Sequence, residues 1–213
     1  MQPYLLSSEA GIEVFFEPAA LANIFLAIHI SPVEISGVGK VRHEGNIYTI
    51  EDNIAIFKQA VSGVHTVFDD DMRGHWLHEM VAAGRGAEIN NFRLWWHSHV
   101  NMPARFSGTD HETIDEKLFD QNLKVASHEY WISFVGNKKG GSLMRLDVFK
   151  PNRLPPIYID NAHFTDPMTN KEIIRSLMVE RQGRMFDLVK KNLSFETDDA
   201  RPFETILGGI FGV

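Results

Sequence analysis

Two histidines separated by one residue, His97 and His99, directly follow a run of aromatic and apolar residues. That run, residues 92–96, contains phenylalanine, leucine and two tryptophans, a composition that predicts a buried β-strand. Successive side chains of a strand alternate between its two faces, so His97 and His99 project from the same side. Two imidazoles held in this way can bind one divalent metal ion. This feature constrains the fold most, because it requires a strand that ends at a polar site.

A serine and an aspartate downstream complete a candidate metal site. Ser107 has the position of a helix N-cap, in which its hydroxyl would accept a backbone N–H of the following turn. Asp110 then lies in the first turn of the predicted helix, where its carboxylate can lean back towards His97 and His99. Two histidines and one carboxylate leave a fourth tetrahedral position open, which is typical of catalytic zinc sites. The histidine pair alone would be ambiguous, since such pairs are more often exposed or hydrogen-bonded residues than ligands.

The complete spacing is more specific than the histidine pair. Seven residues separate His99 from Ser107, and two separate Ser107 from Asp110. This pattern resembles the JAMM motif of the MPN+ zinc metallopeptidases. The family also carries a catalytic glutamate on an early strand, and Glu34 has the corresponding position. Val100 departs from the family, which usually has proline after the second histidine. The compact layout is similar to the prokaryotic, deubiquitinase-like members.

The resemblance implies a zinc-dependent isopeptidase or peptidase that hydrolyses the bond after the C-terminus of a ubiquitin or ubiquitin-like protein. His97, His99 and Asp110 would hold Zn²⁺, which lowers the pKa of the water that it binds. Glu34 would act first as general base and then as general acid. Ser107 would donate a hydrogen bond to the oxyanion. The expected partner is therefore a ubiquitin-like protein or one of its conjugates.

Two alternatives remain open at this point. The first is a peptidase that trims a short C-terminal extension or an amino acid from a ubiquitin-like modifier or sulfur carrier, since it would use the same ligands. The second is a non-catalytic MPN scaffold in a larger assembly, although such scaffolds usually lack the ligands that this chain keeps. A zinc nucleobase deaminase is disfavoured, because the chain has no H-x-E followed by P-C-x-x-C.

Composition narrows the class of protein further. The chain has 213 residues, which is enough for one domain with a sizeable core. It contains no cysteine, which excludes disulfides and thiol catalysis and fits a cytoplasmic location. A net charge of -7 disfavours nucleic acid as the main partner. The start of the chain does not resemble a signal peptide, and no run approaches the roughly 20 apolar residues of a membrane span, so no membrane association is expected.

The remaining sequence predicts a mixed α/β domain. Predicted strands cover residues 11–16, the Glu34 segment, two stretches within 41–56, and residues 130–135 and 143–149. Predicted helices begin near Pro18, Asp69, Ser107 and Lys171. By its resemblance, the fold is expected to be a single MPN-like domain over residues 1–150, with a curved mixed β-sheet flanked by helices. Residues 151–213 are expected to form a C-terminal helical extension and tail packed on that domain.

Two segments are predicted to flank a substrate groove. An extended peptide is commonly held by adding a strand to a sheet edge. Residues 100–106 follow the second histidine directly. Residues 63–68 belong to the loop 61–68, which has the position at which related enzymes contact the ubiquitin-like body. Both are therefore candidates for contact with the substrate.

Overall fold

The structure, a computed structural model, describes residues 12–62, 65–66, 70–114, 129–152, 154–159 and 171–195. Its strands are β1 Glu13–Phe16, β2 Ser36–Glu44, β3 Ile47–Ile56, β4 Gln59–Ser62, β5 His65–Thr66, β6 Phe92–Ser98, β7 Tyr130–Gly136, β8 Ser142–Val148, β9 Ile157–Ile159 and β10 Leu193–Phe195. Its helices are α1 Pro18–Ile30, α2 Asp70–Ala82, α3 Gly108–Glu112 and α4 Lys171–Asn192, with a 3-10 helix at Gly86–Asn91. None of these helices is long and apolar enough to cross a membrane.

A seven-stranded mixed sheet lies at the centre of the described chain, with the strand order β1-β3-β2-β6-β7-β8-β9. β1 pairs with β3 and β6 with β7 in parallel, while the other neighbours are antiparallel. A smaller sheet has the order β10-β4-β5. The predicted α/β class, a curved mixed sheet with helices, is therefore confirmed. Because β6 is paired on both sides, the residues at its end are enclosed by neighbouring strands.

One face of the large sheet packs against α1 and α4. Leu94 and Trp96 of β6 and Phe134 of β7 are fully buried in this core. α4 contributes Met185 and Val189 to the same core. Proline begins α1, as expected, because the first turn of a helix does not need its N–H. Burial of each large apolar side chain stabilises the fold by about 1.5–3 kcal/mol, so this face is the main source of packing energy.

The opposite face has a smaller core that is rich in tryptophan. Trp95 of β6 and Trp131 of β7 lie in it, together with Met80 of α2 and Ile114 just beyond α3. Trp76 of α2 packs against the same group. This second face also carries the histidines of the sequence motif.

β2 begins later than the sequence predicted. Glu34 was expected inside this strand, but the regular pairing starts at Ser36. Pro32 lies in the bend that leaves α1, and a proline cannot donate a ladder hydrogen bond. Beyond the bend, β2 runs so close to β6 that a side chain on Gly37 would lie 2.7 Å from the ring of Trp96. Glycine at this position is required by that close approach.

Candidate metal centre

The end of β6 brings the two histidines together on the second face. His97 is 3% exposed, and its ring stacks on Trp95 with 4.6 Å between the centroids. His99 follows the last residue of β6 and is 8% exposed. The ring centroids of His97 and His99 are 5.1 Å apart. The predicted projection of both rings to the same side is confirmed.

The short helix α3 delivers a carboxylate to the histidines. The Oγ of Ser107 accepts the backbone N–H of Asp110 at 3.2 Å, and Oδ2 of Asp110 accepts the N–H of Ser107 at 2.6 Å. This capping box turns the aspartate side chain back over the start of the helix. Its Oδ1 lies 3.2 Å from Nε2 of His97, and its Oδ2 lies 3.4 Å from Nε2 of His99. The structure thus brings all three predicted ligands together.

The donor set of these three residues fits a metal ion. Nδ1 of His99 donates to the carbonyl oxygen of Pro103 at 3.1 Å, so Nε2 of the neutral ring keeps its lone pair for the cluster. Neither ring nitrogen of buried His97 has an aligned hydrogen bond with the described residues, although Nε2 is close to Asp110. An unsatisfied buried polar group costs about 1–3 kcal/mol, which coordination would offset. With all ligand atoms within 4.8 Å of one another, the group could hold a metal ion.

The charges of the cluster also favour a cation. Burial acts to raise the pKa of Asp110, but the adjacent ring nitrogens of His97 and His99 outweigh burial and hold that pKa well below its usual range. The contact with Asp110 raises the pKa of His99 against the opposing effect of burial. The negative charge of Glu34 contributes to the same rise. The cluster therefore has a negative potential that a proton or a metal cation can neutralise.

Glu34 reaches the centre from the neighbouring strand. The N–H of Ile35 donates to Oγ of Ser98 at 3.0 Å, and the carbonyl of Ile35 accepts the N–H of Ser98 at 2.9 Å. These bonds continue the antiparallel pairing of β2 and β6 and place Glu34 next to His99. Glu34 is 7% exposed, and its charge acts on His99. The structure therefore brings Glu34 close enough to His99 for its charge to act on that ring, although Glu34 precedes the strand.

Ser107 lies at the exposed rim of the centre. Its oxygen accepts the N–H of Asp110, which leaves the hydroxyl proton free to be donated elsewhere. Residues 100–106, one predicted flank of the groove, connect His99 to Ser107 along this rim. In the other predicted flank, residues 63–64 and 67–68 lie outside the described residues.

The loop after His99 has a backbone that proline cannot adopt. Val100 has a φ of 43°, whereas the proline ring fixes φ near about −65°. The carbonyl of Val100 accepts the N–H of Lys138 at 2.7 Å, and the amide of Asn137 donates to the carbonyl of Met102 at 2.9 Å. The loop between β7 and β8 thus holds the loop after His99 in a strained conformation. A proline at position 100 would therefore require a different backbone conformation of this loop.

The structure also shows a supporting group to which the sequence analysis assigns no role. Arg145 of β8 is 3% exposed and donates to Nδ1 of His111 at 2.9 Å. It also forms an ion pair with Asp147, with 2.8 Å between Nη2 and Oδ1. Because His111 follows Asp110, these bonds fix α3 against the sheet. One sequence feature could have predicted this group: Arg145 and Asp147 are two residues apart, and therefore on one face, in an otherwise apolar strand.

Comparisons with known proteins do not place the chain in a family. No family model matches the chain, and no curated protein matches it. A solved structure that is similar to this chain is the solution structure of protein DSY2949 from Desulfitobacterium hafniense. The two chains are 13% identical, and the alignment covers 74% of this chain and 99% of that chain with a TM-score of 0.41. A likeness of this size carries no argument about function.

Proposed function

We propose that this protein is a zinc-dependent isopeptidase or peptidase of the JAMM type, which hydrolyses the bond after the C-terminus of a ubiquitin or ubiquitin-like protein. The observation that carries the proposal is the buried group of His97, His99 and Asp110, with Glu34 beside it. Two imidazoles and one carboxylate are a ligand set of catalytic zinc, with one position left for water or substrate. The proposal includes an MPN-like catalytic domain over residues 1–150, with residues 151–213 as a helical extension.

Each polar residue of the centre has a separate task in this reaction. Zinc, when bound, supplies Lewis acidity that activates water and polarises the scissile carbonyl. Glu34 accepts the proton of the attacking water on its carboxylate and later delivers it to the leaving amine as the C–N bond breaks. Ser107 donates a hydrogen bond from its hydroxyl to the developing oxyanion, while its oxygen still accepts the N–H of Asp110. No covalent intermediate with the chain is required.

The burial of Glu34 supports its proposed role. Glu34 is 7% exposed, and its charge contributes to the raised pKa of His99, so the carboxylate is shielded from solvent close to a candidate ligand. The backbone bonds between Ile35 and Ser98 hold Glu34 against the strand that carries the histidines. The proposed base is therefore held beside the end of β6, from which the two histidines project, and such fixed positions favour a preorganised hydrolytic centre.

The proposed substrate is a ubiquitin-like protein whose extended tail brings its last carbonyl to the metal. The proposed location is the cytoplasm, which fits a chain without cysteine. The leaving group distinguishes two forms of the activity. An isopeptidase releases a lysine side chain, whereas a trimming peptidase releases a short C-terminal extension or an amino acid.

A trapping experiment tests the proposal. The zinc-loaded protein is mixed with a ubiquitin-like protein encoded near its gene, either joined to a lysine side chain or extended at its C-terminus. We expect the parent to cleave one of the two, and Glu34→Gln to capture that same substrate intact. Exposed Glu112 is the last residue of α3, so Glu112→Gln is the matched control and should cleave like the parent. The proposal is contradicted if Glu34→Gln captures neither substrate and the parent cleaves neither.

A further inference from the structure

A second cavity lies beside the candidate metal centre. It has a volume of about 310 Å³ and is formed by the loop before α3, by α3 itself and by the edge of the sheet at β8 and β9. The ring of Phe106 separates it from the histidines: its centroid is 6.0 Å from that of His97 and 6.4 Å from that of Tyr158. The cavity is therefore next to the reaction site but distinct from the metal ligands.

The polar groups around this cavity are donors. Its lining includes Arg105, His111, Ser142 and Tyr158, and the described lining residues include no carboxylate. Arg105 is exposed and forms no ion pair with the described part of the chain. Tyr158 is 49% exposed on the edge strand β9 and offers its hydroxyl. A charged guanidinium and two hydroxyl groups, held against an aromatic wall, are suited to bind a carboxylate.

The buried arginine behind the cavity fixes the orientation of its histidine. A guanidinium can only donate, so the bond from Arg145 makes Nδ1 of His111 an acceptor. The N–H of this ring is then on Nε2, which gives the cavity a further donor. The charge of Arg145 is balanced by its ion pair with Asp147. Arg105 therefore supplies the unbalanced positive charge.

We propose that this cavity is a substrate subsite that binds a carboxylate near the scissile bond. The inference rests on the hydrolase proposed above and specifies its substrate class. The ring centroid of Phe106, which lines the cavity, is 6.0 Å from that of His97. Extended residues cover about 3.3 Å each, so a carboxylate two to three residues from the cleaved bond spans the distance to the cavity wall. Such a carboxylate is either the free C-terminus of a short extension or the side chain of an aspartate or glutamate in the substrate.

Binding of three short peptides to the zinc-loaded protein tests this subsite. The probes are N-acetyl-triglycine, the same peptide with a C-terminal amide, and a second amide in which the central glycine is replaced by aspartate. NMR titration gives each dissociation constant, and the backbone signals of Leu143 and Tyr158 report on the cavity. We expect at least one acid-containing peptide to bind about tenfold more tightly than the triglycine amide. A preference for the free C-terminus identifies a short extension as the source, and a preference for the aspartate identifies an acidic side chain.

Substitution of Arg105 tests whether the cavity is the site that binds the carboxylate. Arg105→Gln should remove the preference for the acid, and Tyr158→Phe should reduce it by a smaller factor. Arg175→Gln is the matched control, because Arg175 is an exposed arginine on α4, on the other side of the sheet. Bound zinc is measured in each variant to show that the centre is intact.

Two results would overturn the subsite. One is equal binding of acids and amide by the parent. The other is an unchanged preference in Arg105→Gln, which would mean that the carboxylate binds the metal or another surface. The titration does not require turnover, so it separates the two proposals. Cleavage of a conjugate without acid preference contradicts the subsite alone, whereas an Arg105-dependent preference without any cleavage contradicts the hydrolase alone.

Discussion

The two faces of the seven-stranded sheet bury different chemistry at adjacent positions of the same strands. Phe134 and Met144 lie in the core formed with α1 and α4, and both are fully buried. Ser133, which precedes Phe134, and Arg145, which follows Met144, project from the opposite face and are also buried. On β6 the same alternation places His97 on the face opposite to that of the buried Trp96. One set of strands thus separates packing from polar chemistry by the alternation of side chains.

This difference indicates which interactions each face depends on. Apolar burial stabilises the first face without any partner other than close packing. Buried polar groups on the second face are costly unless hydrogen bonds, ion pairs or a metal satisfy them. We therefore expect substitutions on the first face to reduce stability, and substitutions at the metal centre to reduce metal binding or turnover.

The largest effect is expected from loss of the metal ligands. His97→Ala, His99→Ala and the double variant should lose most of the bound zinc and all detectable hydrolysis, because the remaining ligands do not complete a site. Zinc per chain is measured by elemental analysis, before and after treatment of the parent with a chelator. His78→Ala, an exposed histidine on α2, should keep full zinc. Full zinc occupancy in the double variant would exclude this site.

The next effect separates metal binding from proton transfer. Glu34→Gln should retain zinc and stability but lower kcat by about 10²–10⁴-fold, because an amide cannot accept the proton of the attacking water. Zinc content, thermal unfolding and turnover are compared with those of Glu112→Gln. If Glu34→Gln turns over like the parent, another residue must be the general base.

A pair of neighbouring substitutions on β7 tests the difference between the faces directly. Phe134→Ala should lower the free energy of unfolding by about 3–5 kcal/mol, because it leaves a cavity among the rings of the first face. Ser133→Ala should change it by less than about 1 kcal/mol, since the buried hydroxyl has no hydrogen-bond partner in the described chain. Urea unfolding of the zinc-loaded proteins measures both. Equal losses in the two variants would contradict the proposed division.

The strained loop after the second histidine should respond to smaller changes. Val100→Gly should raise the free energy of unfolding by up to about 1 kcal/mol, because relief of the left-handed strain exceeds the added chain entropy. Val100→Pro should lower both stability and zinc affinity, since proline cannot adopt a positive φ. Thermal unfolding and a competition assay for zinc measure these effects. If Val100→Pro matches the parent in both, the loop does not require the positive φ.

The smallest effect concerns pH in the metal-free protein. Contact with Asp110 raises the pKa of His99 above its ordinary value of 6.5. This contact therefore stabilises the fold fully below pH 6.5, and the contribution is lost as the pH rises through the raised pKa. Urea unfolding of chelator-treated protein should show this decline, and His99→Gln should show less of it. The same decline in His99→Gln would assign the pH dependence to another group.

Local rules predicted the candidate ligands and most of the longer elements, but they missed the short strands β4, β5, β9 and β10. The alternation of a strand predicted that His97 and His99 share a side, and the N-cap position of Ser107 predicted the turn that returns Asp110. Both rules involve residues that are close in the chain, so one sequence is enough to apply them. The same rules misplaced the start of β2 before Ser36, because the bend after α1 depends on where β2 meets β6.

The sequence by itself therefore determined the candidate ligands, the face from which they project and the mixed α/β class. Only the tertiary structure decided that Ile35 pairs with Ser98, 63 residues away, and so brings Glu34 to the centre. It also decided that Arg145 supports His111 across 34 residues and that Arg105 and Tyr158 share a cavity. Such contacts depend on strand register and on the packing of many side chains at once. No local pattern specifies these contacts, because the sequence around one residue does not indicate which distant residue it will contact.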